Sequence, residues 1–88
     1  MSIKWVMHYE TSDLTLARQH FPEHKKRLDE FQARGTLLMV GTLGSPPVGA
    51  LAVFTTREAA EEFTREDPFV LSGAVKKGTI YEWNEILT

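Results

Sequence analysis

"TLLMVGTLGSPPVGALAVFTT", residues 36–56, sets two apolar, partly β-branched runs on either side of a short "GSPP". Thr36–Leu43 and Val48–Thr56 read as strands, and Gly44–Pro47 between them is a turn-rich connection of hairpin length. The centre of the chain is therefore two antiparallel strands, and what flanks them decides the architecture.

Upstream, Leu14–Arg34 reads as helix, but Pro22 lacks the N–H of an interior helical residue and restricts Phe21 before it. A break is expected there. The helix proper then starts at Pro22 or Glu23, with proline in the tolerated first turn, and ends near Gly35 as a left-handed C-terminal cap. Within it Phe21, His24, Leu28 and Phe31 share one face at spacings of 3, 4 and 3, while Lys25, Lys26, Arg27, Asp29 and Glu30 take the rest. Before the helix, Ile3–Glu10 alternates Ile3, Trp5, Met7 and Tyr9 against Lys4, Val6, His8 and Glu10, the period of a strand with one buried face.

Downstream, Thr55 and Glu58 have the spacing of a capping box, and the helix they open turns Ala59, Ala60 and Phe63 inward until Pro68 stops it. The last strand alternates Thr79, Tyr81 and Trp83 against Ile80, Glu82 and Asn84, its start weakened by Lys76, Lys77 and Gly78. The order is β-α-β-β-α-β. That is the ferredoxin-like α+β arrangement, a four-stranded antiparallel sheet with two helices on one face, in a single domain over residues 1–88. The sheet's second face is left to water or a partner, so a homodimer that covers it and encloses a cavity is expected.

Composition narrows the function. A chain of 88 residues with 42% hydrophobic and 25% charged residues is of ordinary globular make-up. A domain this size buries only about 60–65% of the surface its unfolded chain exposes. The absence of cysteine removes thiolate nucleophiles and thiolate metal sites, and fits a reducing, cytoplasmic setting. No apolar run approaches bilayer length and the start lacks signal-peptide form, so no membrane association is expected. A formal charge of −2, with bases scattered among acids, gives no attraction to phosphate backbones, and nucleic acid is not an expected partner.

Two side chains stand out for chemistry. Asp67 follows Phe63 by four positions, so helical geometry carried to the end of the second helix aims it at the same inward face. His24 is drawn inward on the first helix, and the two helices of this fold lie side by side. A neutral imidazole oriented by a carboxylate is a competent general base, and the acid stabilises the imidazolium that forms. Spacing alone also suits a structural histidine and a capping aspartate.

Among other candidates, His20 and His24 have a metal-ligand spacing, but Pro22 lies between them and no third ligand is apparent, so no metal is assigned. His8, on the strand face opposite Trp5 and Tyr9, is either a partly exposed strand histidine, the commoner case, or one that points into a dimer cavity. Ser72 has a hydroxyl for a ligand or for the Asp67 carboxylate, and otherwise serves ordinary turn chemistry. Tyr9, with Trp5, Tyr81 and Trp83, offers a ring to an aromatic substrate, or to a core or interface.

The string H-x-x-x-L-x-x-F-x-x-x-G-x-L-L-x-x-G-x-L from His24 to Leu43 is followed by E-A-A-E-E-F-x-x-x-D-P-F-V-x-S-G from Glu58 to Gly73 and by Tyr81-Glu82-Trp83. Together they resemble the YCII-related (YciI-like) family. The resemblance implies ferredoxin-like dimers of the α/β-barrel type and puts an active-site pair on His24 and Asp67. It also implies kinship in fold with muconolactone isomerase, and a dehydrochlorinase-type activity among members. The short "GSPPVG" connection and Ser72 depart from many relatives.

The expectation is a small cofactor-independent enzyme, a lyase or isomerase, that moves a proton on a cyclic or aromatic-derived catabolite such as a chlorinated hydroxyquinol or a lactone. His24 would be the base, Asp67 its partner, and Ser72, His8, Tyr9 and Phe69 the substrate-binding residues. The alternative is a non-catalytic dimeric module for ligand binding or assembly, in which the pair fixes the helices. A cofactorless oxygenase is a third reading, resting on fold alone.

Overall fold

The computed structural model describes residues 3–87. The chain runs β1 (Ile3–Thr11), α1 (Leu14–Ala33), β2 (Leu37–Leu43), β3 (Gly49–Phe54), α2 (Arg57–Arg65), α3 (Pro68–Leu71) and β4 (Val75–Asn84). The strands form one sheet in the order β2-β3-β1-β4, every neighbouring pair antiparallel. With α3 a single turn between α2 and β4, this is the ferredoxin-like order expected.

The strands β1, β2 and β3 differ from the sequence reading by one or two residues at their ends, and four larger departures each have a local reason. Helix α1 does not break at Pro22 but runs 20 residues through it. Pro22 is exposed, opposite the buried His24 and Phe31, so the carbonyl it leaves without a donor one turn earlier lies on the watered side. Asp13 starts the helix by accepting Leu16 N–H at 3.1 Å. At the other end Gly35, at φ 81°, lets its own N–H reach Gln32 O and that of Thr36 reach Phe31 O.

Helix α2 is capped by Thr56, not Thr55, with Thr56 Oγ1 accepting Ala59 N–H at 3.1 Å. Thr55 is taken by the sheet, its N–H donating to Thr36 O at 2.9 Å. Strand β4 begins at Val75, ahead of the lysines thought to weaken it. Lys76 lies opposite Glu10, a favourable cross-strand pair, and Ala74 O anchors the entry by accepting from Ser12 and Asp13 N–H. A register shift between Met7 and Tyr9 falls opposite Gly78, where a Cβ would stand 2.9 Å from His8 O. Finally, α2 stops at Arg65, so Asp67 is not its last inward residue. Asp67 is the N-cap of α3.

The core lies between helices and sheet: Met7, Tyr9, Ala52 and Phe54 from the strands, Phe31 from α1, and Ala59, Ala60 and Phe63 from α2. Phe63 meets Phe31 edge-on at 5.1 Å, and Arg27 bridges the helices by donating to Phe63 O at the C-terminal end of α2. On the sheet's other face the register places Met39, Leu51, Tyr81 and Trp83, which are 67%, 40%, 63% and 45% exposed. No helix among the described residues is long and apolar enough to cross a membrane.

Candidate functional site

Asp67 is where α2, α3, α1 and β1 converge. Its backbone is extended, at φ −71° and ψ 124°, because Pro68 after it disfavours the helical region. That geometry turns the side chain back over the first turn of α3, where Oδ1 accepts Phe69 N–H at 3.1 Å. The same oxygen lies 2.8 Å from His24 Nδ1, and Oδ2 accepts the Tyr9 hydroxyl at 2.7 Å. The carboxylate has no exposed surface and His24 is 7% exposed.

Burial, and then the charge of the neighbouring Asp67, push the Tyr9 hydroxyl far above the ordinary phenol range, so it remains a donor. An ionised carboxylate only accepts, so Nδ1 carries a proton in this pair. In the neutral imidazole, Nε2 therefore holds the lone pair.

Aromatic rings fix the imidazole plane. Phe69 stacks on it at 3.8 Å and 3°, and Phe63 meets it edge-on at 5.9 Å. Among the described residues Nε2 has no hydrogen-bond partner. Nor is it sealed, because among the described residues the buried side-chain polar atom without a partner is Arg27 Nε. His24 lines a cleft of about 590 Å³ between α1 and the β1, β3 and β2 side of the sheet, together with Tyr9, Phe63 and Phe69. The volume is that of a small-molecule site, and the wall is mostly apolar.

The candidates read from the sequence divide. His24, Asp67, Tyr9 and Phe69 are brought together. Tyr9 is there as a donor to Asp67, a role its place in an alternating strand does not announce. Ser72 is not part of the cleft lining: its hydroxyl donates to Phe69 O and accepts Ala74 N–H, closing the turn after α3, and it makes no bond to Asp67. His8 is exposed and on the far face of the sheet, away from the pair. The cleft is also lined by residues that the sequence reading does not assign to a site, among them Arg18, Phe21 and Lys25. Their spacing along α1 puts them on one side, and that was the available signal.

Fold and site together define a ferredoxin-like α+β domain with a carboxylate–imidazole pair at the wall of an apolar cleft. The chain belongs to the YCII-related family: the YCII-related domain profile matches residues 1–84. Among solved structures it is similar to 5-chloro-2-hydroxyhydroquinone dehydrochlorinase from Burkholderia phenoliruptrix in complex with 2,5-dihydroxybenzoquinone. The TM-score is 0.74 at 13% identity, over 92% of this chain and 93% of that one. The likeness is one of fold. No curated protein sequence matches the chain.

Proposed function

We propose that this protein is a small enzyme that moves a proton on a cyclic or aromatic-derived organic acid or quinol, ending in isomerisation or elimination. His24 Nε2 takes the proton. Asp67, through Nδ1–H, holds the tautomer that frees Nε2 and stabilises the imidazolium. In an isomerisation the imidazolium returns the proton to another carbon of the same substrate. In an elimination the electron pair left by the proton forms a new double bond and a halide departs, after which the imidazolium passes its proton to solvent. Phe69 keeps the imidazole in plane.

The observation that carries this reading is that His24 Nε2 is free at the wall of the cleft while Nδ1 is held at 2.8 Å by a buried carboxylate. A neighbour in fold that is a dehydrochlorinase adds support. The site is taken to work without a cofactor, in a cytoplasmic homodimer whose interface is the apolar outer face of the sheet.

Turnover of a panel of lactones and halogenated hydroxyquinols tests it. His24→Ala and Asp67→Asn should each lower kcat by about 10²- to 10⁴-fold, the usual share of a general base. Activity that survives in both variants refutes the site. A second reading, a non-catalytic binding or assembly module, is favoured by the completeness with which Asp67 is hydrogen-bonded while capping α3. Under it, no member of the panel is turned over.

A further inference from the structure

The cleft's charge does not follow that of the chain. The protein as a whole carries 12 acidic and 10 basic residues, yet among the described residues no aspartate or glutamate lines the cleft, the Asp67 carboxylate being fully buried behind His24 and Tyr9, while Arg18 and Lys25 do line it. Both sit on α1 with Phe21 between them, at positions i, i+3 and i+7, and so share one side of the helix. Phe21 is 48% exposed and its ring centroid is 6.3 Å from that of His24. Lys25 is partly neutralised by Asp29 at 2.7 Å, whereas Arg18 makes no ion pair among the described residues. An unpaired guanidinium and an exposed ring at the mouth of an apolar cleft are the two halves of one recognition pattern.

We infer that the cleft binds an organic anion with a flat apolar body, the ring inside against the aromatic residues and a carboxylate or enolate oxygen outward at Arg18, with Lys25 beside it. This rests on reading the cleft as the substrate site, and names the charge of what enters it. Arg18, the cation there without an ion-pair partner among the described residues, attracts anions to the outer side of the cleft, away from the buried Asp67 carboxylate behind His24, an effect that weakens with salt.

Calorimetric titration tests it with 2,5-dihydroxybenzoquinone, an acidic hydroxyquinone that is anionic at neutral pH, against hydroquinone, a ring of like size that is neutral there. The anion is expected to bind at least about tenfold more tightly, a difference that shrinks as salt is raised. Arg18→Gln should weaken the anion about fivefold, with a smaller loss in Lys25→Gln, and leave hydroquinone unchanged. Both side chains are on the helix surface, so both variants should fold.

Equal binding of the two rings, an Arg18→Gln effect that is absent or the same for both, or no binding of either at millimolar concentration overturns the inference. Charge-selective binding with no turnover of any panel substrate leaves it standing and defeats the proton-transfer reading. Turnover of substrates without charge preference does the reverse.

Discussion

Removing the Asp67 carboxylate in two ways separates its shape from its charge. The side chain is fully buried and accepts from Phe69 N–H, Tyr9 O–H and His24 Nδ1–H. Truncation to alanine leaves three donors without an acceptor, each costing about 1–3 kcal/mol when buried, so Asp67→Ala should lose about 3–5 kcal/mol. That approaches the entire stability of a small domain, on the order of 5 kcal/mol at the low end. Asp67→Asn keeps one oxygen for Phe69 and His24 and offers an amide to the Tyr9 hydroxyl oxygen. It loses the ionic part of the bonds, about 2 kcal/mol in total. Urea unfolding followed by the fluorescence of Trp5 and Trp83 measures both. An Asp67→Ala loss below about 1 kcal/mol would mean that water replaces the carboxylate, and the buried pair described above would be refuted. Equal losses in the two variants would show that the charge carries the whole effect and that an uncharged acceptor of the same shape contributes nothing.

Three further outcomes are expected. The folded state holds the Tyr9 proton more tightly than the unfolded chain, so its contribution is complete below the unfolded phenol value of about 10 and declines above it by about 1.4 kcal/mol per pH unit. Tyr9→Phe should flatten that alkaline slope relative to the parent in denaturant titrations across the range, and identical slopes would rule out the buried phenol. At Gly49 a Cβ would stand 2.4 Å from Tyr9 O, whereas at Gly41 it meets nothing within 4 Å. Gly49→Ala should therefore cost more than about 2 kcal/mol in thermal unfolding and Gly41→Ala less than about 0.5 kcal/mol. On the outer sheet face, Leu51→Glu should shift sedimentation toward monomer if two copies meet there; a sedimentation coefficient already that of a monomer in the parent chain removes the proposed interface.

The elements were legible because their signals are local. Apolar alternation in β1, the paired strands around "GSPP" and the 3-4-3 stripe of α1 each depend on residues within one element. The proline in α1 misled because its cost is set by which side of the helix it occupies, and tertiary burial of His24 and Phe31 fixed that side. The meeting of His24 and Asp67 was anticipated by the wrong route: Asp67 arrives from the cap of α3, not from the inward face of α2. The Tyr9–Asp67 bond spans 58 positions, and no periodicity encodes a partner at that distance. Arg18 and Lys25 were visible only as ordinary surface cations until the cleft gave them a common neighbour.

Three consecutive residues, Asp67, Pro68 and Phe69, carry an unusual share of the site: the acid, the amide that orients it and the ring that stacks on His24, with the proline stiffening the link between them. The unit is assembled by its own backbone, not by the packing of a long helix. Its inheritance is correspondingly simple. Mutations on the solvent side of α2 can accumulate without moving the acid, and the cleft wall contributed by β2 and the first turns of α1 can change while the contact between Asp67 and His24 stays in place. The short segment is thus a portable module, one that an engineer could seek to graft where a helix begins beside an inward-facing imidazole.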